Sequence, residues 1–177
     1  MMSDICNNVW SKYTFEKVKE LLLGTTMPWY ICNTDYYDNY SNINSQKWQH
    51  IAYHKNVTSS AIGPYLEMAV WEAFSKTDQN VDELIRIRCS MTEIGHDHFV
   101  GGPHVDTNTP HMTALFYIND SDGDTILYNE KFDPSLNLDQ YAFYQEHIKT
   151  PTVDKTVTPE ANKMFWFDGL TYHSSNS

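Results

Sequence analysis

Residues 111–119 read HMTALFYIN, and residues 163–169 read KMFWFDG. Each run is apolar and aromatic and has the length of one strand, so both are predicted to lie in a sheet. The segment Asn119–Asp124, rich in Asn, Asp and Gly, predicts a turn directly after the first run. Two further strands are predicted at Leu84–Cys89, which alternates apolar and basic residues, and at Thr125–Asn129. The C-terminal half is therefore predicted to be rich in β-structure.

Two helices are predicted in the N-terminal half. Apolar residues at helical spacing from Phe15 to Leu22 predict the first helix, with Thr14 as its cap and Gly24 as its end. The same spacing over Ala61–Ser75 predicts a second helix, which we expect to cover a sheet. The stretch between the two helices contains only fragments of strand.

The predicted fold class is α+β, mainly β with flanking helices. A chain of 177 residues has the usual length of one domain, so a single domain over residues 1–177 is expected. Within it, residues 1–80 are expected to form a helical and irregular support, and residues 81–177 the β core. Aromatic residues, 14% of the chain, supply large side chains for that core. Strands of similar length separated by turns favour a sandwich or an open barrel.

The charge of the chain restricts its partners. Twelve Lys and Arg stand against 23 Asp and Glu, which gives a net charge of −11. Nucleic acids and anionic membranes require clustered basic residues, so neither is expected as a partner. The aliphatic run Leu21–Leu23 is too short to span a bilayer, and the N-terminus lacks the pattern of a secretory signal. The chain has no C-x-x-C motif, and its three cysteines, Cys6, Cys32 and Cys89, are expected to be free thiols. Free thiols, together with the lack of a signal pattern and of a membrane span, predict a cytoplasmic location.

Three residues have the chemistry of a metal site. His104 and Asp106 are two residues apart, so an extended segment would point both side chains to the same side. His173 follows the predicted strand at Lys163–Asp168 and a short turn, and it is placed to complete the set. Two imidazoles and one carboxylate leave three adjacent positions of an octahedral Fe(II) open, whereas zinc more often recruits Cys or closes its shell. These residues therefore predict a ferrous site.

Several ordered motifs resemble one family. The segments His104–Asp106, Thr113–Asn119, Asp122–Thr125 and Asn162–Gly169, followed by His173, are similar to the prolyl-4-hydroxylase-like branch of the Fe(II)/2-oxoglutarate-dependent oxygenases. The similarity is greatest to the short members found in marine phage and bacteria. It extends from about Leu84 to Ser177.

The resemblance implies a double-stranded β-helix, a jelly-roll or cupin-like barrel with iron at its open end. It implies Fe(II), 2-oxoglutarate, O₂ and ascorbate as cofactors and co-substrates, and hydroxylation of a C–H bond in a peptide or small molecule, peptidyl proline first. The implied catalytic and iron-binding residues are His104, Asp106 and His173. The implied co-substrate pocket comprises Tyr117, which would bind the distal carboxylate, with Thr113, Leu115 and Thr125.

One feature departs from the family pattern. The family places an Arg or Lys about eight to ten residues after the distal His, where it pairs with the distal carboxylate. Only Ser174–Ser177 follow His173, so the sequence is expected to lack the last strand. The sheet edge left open would favour a homo-oligomer. Arg86, Arg88 or Lys163 would replace the cation if its side chain points inward, although a position on an exposed strand face explains each more simply.

Two other functional interpretations stay open: a non-catalytic β-sandwich binding or virion-associated module, and an inactive oxygenase that binds only metal. A cupin-type site at His96 and His98 lacks the Glu of that pattern, because Gly101 and Gly102 stand in its place. His96 and His98 are therefore interpreted as loop residues near the mouth of the site. His111 is interpreted as either structural or substrate-facing.

Overall fold

The computed structural model describes residues 3–32, 47–92 and 101–176. The chain divides into two compact units, residues 1–7 with 96–177 (the two-sheet unit) and residues 8–95 (the helix–sheet unit). The helices and strands of the described residues are β1 (Asp4–Asn7), α1 (Lys12–Leu23), β2 (Tyr30–Cys32), β3 (Lys47–His54), β4 (Val57–Thr58), α2 (Gly63–Phe74), β5 (Arg86–Thr92), β6 (Met112–Tyr117), β7 (Thr125–Lys131), α3 (Gln140–His147), β8 (Val153–Val157), β9 (Lys163–Asp168) and β10 (Thr171–Ser175). The prediction of a mainly β chain with helices is confirmed.

Two antiparallel sheets of three strands form the two-sheet unit. Their strand orders are β1-β9-β6 and β10-β7-β8. In the first sheet Thr113 pairs with Phe167, and in the second His173 pairs with Leu127. Within the described residues, neither sheet closes on itself. The unit is therefore built from two open sheets.

An apolar core fills the space between these two sheets. Its members are the buried residues Leu127, Val157, Phe165 and Phe167, with Leu115 and Tyr117 packed against them. Both sheets contribute side chains from alternate strand positions, as the two-residue period of a pleated strand requires. Strand β9 is buried along residues 163–167, which explains its apolar run from Met164 to Phe167. The strand predicted there is confirmed.

A second apolar cluster lies on the other face of β7 and β10, where α3 covers them. The Phe143 ring stacks on Tyr172 at 6.4 Å between centroids and meets Phe132 edge-on at 5.3 Å. Tyr128 of β7 belongs to the same cluster. Asp139 caps the helix, since its carboxylate accepts two backbone N–H groups of the first turn. A helix of only eight residues, with aromatic and polar positions mixed, was not predicted.

Strand β3 is the centre of the helix–sheet unit. β2 pairs with its beginning, β4 with its end, and β5 along most of its length. Helix α2 packs on β3 and β5, so the prediction that this helix covers a sheet is confirmed. The approach is close at the start of α2, where a Cβ on Gly63 would lie 2.6 Å from the Ala52 carbonyl oxygen. Glycine is required at that contact.

Two expectations about local structure are corrected. Ser11, not Thr14, caps α1, because the Ser11 hydroxyl accepts the Thr14 backbone N–H at 3.2 Å and the Thr14 hydroxyl binds Glu72 instead. Strand β5 was expected within the C-terminal β core, yet it pairs with β3 of the helix–sheet unit. Its alternating sequence predicts a strand but carries no information about the partner strand.

Of the helices described, none has the length and apolarity needed to cross a membrane.

Candidate metal centre

His104 and His173 are joined through their backbones. The His104 N–H donates to the His173 carbonyl at 3.0 Å, and the His173 N–H donates to the His104 carbonyl at 2.9 Å. The Gly101 N–H also donates to the Ser175 carbonyl, so residues 101–104 run alongside β10. Residues directly opposite each other in antiparallel pairing share a face, which brings the two imidazoles to 4.6 Å between ring centroids.

Asp106 completes the cluster from the same segment. Val105 points the other way, into the cluster under α3, and its N–H donates to the Gln140 side chain at 2.7 Å. The Asp106 carboxylate therefore turns back toward the histidines, with Oδ2 at 3.7 Å from His173 Nε2. One ligand atom from each of His104, Asp106 and His173 lies within 4.8 Å of the others. A single metal ion can be bound by three atoms at that spacing.

The hydrogen bonds of both histidines direct the same ring nitrogen, Nε2, toward the candidate metal site. Nδ1 of His104 lies 3.0 Å from the Gly102 carbonyl oxygen, and Nδ1 of His173 lies 3.2 Å from the Thr171 carbonyl oxygen. A carbonyl only accepts, so each Nδ1 carries the proton and donates it. Metal-binding histidines typically use this arrangement, because it fixes the tautomer and directs Nε2 to the ion. The donor set of two imidazoles and a carboxylate fits Fe(II) and other divalent first-row ions.

The site is largely shielded from water. The side chains of His173 and Asp106 are only 8% and 10% exposed, and the edge of Phe167 meets the His173 ring at 5.0 Å. A shielded carboxylate is costly unless an opposite charge or hydrogen bonds compensate it. A bound divalent cation would provide that compensation.

The predicted pocket residues on β6 and β7 face the space between the sheets. The Tyr117 hydroxyl donates to Thr125 Oγ1 at 2.8 Å and so links the two sheets. Burial raises the pKa of Tyr117 to about 12, so its hydroxyl remains protonated at neutral pH. Thr125 pairs with Ser175, two residues from His173, which corresponds to about 7 Å along the strand. Leu115 packs on the core between these positions.

Thr113 lies nearer to the metal ligands than to Tyr117. It is buried at the beginning of β6, and its hydroxyl donates to Asp106 Oδ2 at 3.4 Å. The residue was predicted to share a co-substrate pocket with Tyr117 because both occupy the same face of the strand. The structure brings its hydroxyl against the carboxylate of the candidate metal site.

The three cations proposed from the sequence lie on two different strands. The Lys163 amine binds Glu160 and the Thr158 carbonyl. Arg86 and Arg88 lie on β5, in the helix–sheet unit. The contacts of Lys163 therefore occupy its amine at the beginning of β9.

Lys155 is a cation that the sequence analysis missed. It pairs with Leu127, which in turn pairs with His173, so the three side chains share the face toward the first sheet. Its amine lies 5.9 Å from the centroid of Phe165, and within the described residues no carboxylate forms an ion pair with it. Residues 153, 155 and 157 lie on one face of a strand, so recognition of β8 in the sequence would have placed Lys155 on the same face as Val153 and Val157.

The structure therefore brings together the three predicted metal ligands, and it links Tyr117 to Thr125. The predictions for His96 and His98 lie outside the described residues. Comparison of the chain with protein families, curated proteins and solved structures finds no match. The geometry of the site itself therefore carries its functional interpretation.

Proposed function

We propose that this protein is an Fe(II)- and 2-oxoglutarate-dependent dioxygenase that hydroxylates a C–H bond, with peptidyl proline as the first substrate to test. The convergence of His104, Asp106 and His173, with both Nδ1 atoms held by carbonyls, is the observation that carries the proposal. Three protein ligands on one side of an ion leave positions for a chelating co-substrate and O₂. When bound, iron supplies the oxidising chemistry, in which 2-oxoglutarate and O₂ become succinate and CO₂ while the substrate gains one oxygen atom.

The chain's own residues orient the co-substrate and exclude water. Phe167 shields His173 on the side of the apolar core, which limits access of water to the ligands. Tyr117 is neutral and donates to Thr125 at the opposite end of the pocket, so the Thr125 hydroxyl keeps its own proton for a carboxylate oxygen there. Lys155 is proposed as the positive charge for the same carboxylate, in place of the Arg or Lys of the family pattern.

The strand order supports the fold that we propose with this function. Residues 101–104 beside β10, followed by β7 and β8, make one face, and β9 with β6 makes the other. We propose that these are the two faces of a double-stranded β-helix. The metal ligands then lie on one face of the second sheet and point into the space between the two sheets, where such a fold holds its ligand.

The test is anaerobic addition of Fe(II) and then 2-oxoglutarate to the purified protein. An oxygenase gives the weak visible charge-transfer band of the chelate, and His104→Ala should abolish it. His54→Ala, at an exposed histidine of β3, is the matched control and should retain the band. Admission of O₂ with a proline-containing peptide should then yield succinate in proportion to hydroxylated peptide.

Two results would contradict the proposal in different ways. A folded protein that binds Co(II) through His104 but gives no band with Fe(II) and 2-oxoglutarate is a metal-binding protein without the co-substrate chemistry. A protein whose affinity for Co(II) is the same with and without His104 has no metal centre at this site.

A further inference from the structure

The Thr113 hydroxyl stands between a histidine and the carboxylate of the candidate metal centre. Its Oγ1 lies 3.2 Å from His111 Nε2 and 3.4 Å from Asp106 Oδ2. A threonine hydroxyl has one proton and two lone pairs, so Thr113 can donate its proton to Asp106 while its oxygen accepts a hydrogen bond from His111 Nε2. His111, Thr113 and Asp106 therefore form a continuous polar chain that ends at a metal ligand.

The His111 ring is held in place from two sides. Its Nδ1 lies 2.7 Å from the Thr109 carbonyl oxygen and its Nε2 faces the Thr113 oxygen, so both ring nitrogens donate, as in the doubly protonated form of the ring. Its ring lies over Gly169, where an added Cβ would come within 2.2 Å of His111 Nε2. The Gly169 N–H also donates to the His111 carbonyl at 2.9 Å. Only a residue without a side chain leaves room for the ring at this point.

A ring fixed in this way limits the positions of the Thr113 hydroxyl. Thr113 is buried and pairs with Phe167, so its backbone is held by β9. With His111 Nε2 on one side, the hydroxyl is kept in the rotamer that reaches Asp106. The carboxylate of Asp106 is thereby held by a hydrogen bond in addition to its own backbone.

We propose that His111 is a positioning residue of the metal centre. It acts through Thr113 to fix the orientation of the Asp106 carboxylate for a divalent first-row metal ion. Hydrogen-bonding partners of metal ligands commonly change metal affinity by about 10- to 100-fold. The inference rests on the metal site of the proposed function, and it is independent of 2-oxoglutarate, O₂ and substrate.

The test uses the whole chain and Co(II), whose visible spectrum reports the geometry around the ion. Thr113→Val keeps the shape and removes the hydroxyl, and His111→Phe keeps a ring over Gly169 and removes the nitrogens. Each is expected to weaken Co(II) binding about tenfold and to change the spectrum. Thr113→Ser restores the hydroxyl and His111→Gln restores a polar group near the position of Nε2, so both are expected to recover affinity and spectrum.

A double variant tests whether the two residues act in series. If His111 acts through Thr113, Thr113→Val combined with His111→Phe weakens binding no more than either single change. Multiplied effects of about 100-fold would show independent roles and would overturn the inference. Single variants with wild-type affinity and spectrum would overturn it as well.

His104→Ala separates this inference from the proposed function. If wild-type protein and His104→Ala bind Co(II) with equal affinity, the metal centre and both proposals are rejected. A clear difference between them, with Thr113→Val unchanged, would reject only the positioning role. Metal binding that depends on Thr113 and His111 without any succinate formation would support the positioning role and reject the oxygenase.

Discussion

Replacing Tyr117 by Phe should change the dependence of stability on pH in a direction that the structure specifies. The hydroxyl lies between the two sheets, where burial raises its pKa from the ordinary value of 10.0 to about 12 and Thr125 accepts its hydrogen bond. The folded state therefore keeps its proton at a pH where the unfolded chain has lost it. Ionisation in alkali favours the unfolded state, and a phenylalanine cannot ionise.

The size of the effect follows from the two pKa values. The contribution of the raised pKa to the free energy of unfolding has its full value below pH 10 and is lost as the pH rises through 12. A difference of about 2 pKa units corresponds to about 2.7 kcal/mol in full, of which about 1.4 kcal/mol is lost by pH 11. At pH 8 the Phe variant lacks one hydrogen bond and should be about 1 kcal/mol less stable than wild type. The two stability curves should therefore cross near pH 11.

The assay is urea unfolding of both proteins at pH 8 and at pH 11. Tyr65→Phe, at an exposed tyrosine of α2, is the matched control for the removal of one hydroxyl. Phenolate absorbance of the folded protein measures the same ionisation directly. A difference in unfolding free energy between wild type and Tyr117→Phe that stays constant from pH 8 to pH 11 would refute the buried position of this hydroxyl.

Four further predictions concern separate parts of the molecule. Co(II) at 100 times its dissociation constant should stabilise the protein by about 2.7 kcal/mol, or about 5–11 °C in Tm, and His173→Ala should remove this shift in a thermal melt. Lys155→Met, which keeps the packing on Phe165, should weaken 2-oxoglutarate binding about tenfold without weakening Co(II) binding, whereas Lys155→Arg should not. Phe143→Ala should cost about 3–5 kcal/mol in urea unfolding, and a loss below about 1 kcal/mol would contradict its packing under β10. Burial raises the pKa of Cys89 to about 11, so at pH 8 its alkylation, followed by peptide mass mapping, should be about 100-fold slower than that of a free cysteine; an equal rate would contradict its burial.

The elements that were predicted correctly have strong local signals. Strand β9 contains the apolar run Met164–Phe167, and α2 has regular helical spacing with Pro64 in its first turn. Helix α3 and strand β8 lack such signals, since one mixes aromatic and polar residues and the other is mostly exposed. Both form because a neighbouring element covers or pairs with them. Tertiary contacts of this kind leave little trace in a short window of sequence.

The sequence alone determined which residues can bind a metal, because His104, Asp106 and His173 carry the right donor atoms and two of them are correctly spaced. Only the tertiary structure decided that His173 lies opposite His104, since that register is set by backbone hydrogen bonds between distant segments. The same holds for Lys155, whose place beside the core follows from the pairing of β8 with β7. It also holds for His111, whose ring reaches Thr113 because Gly169 of another segment leaves room for it. Side-chain chemistry is a local property, whereas the distance between two side chains is set by the packing of the whole unit.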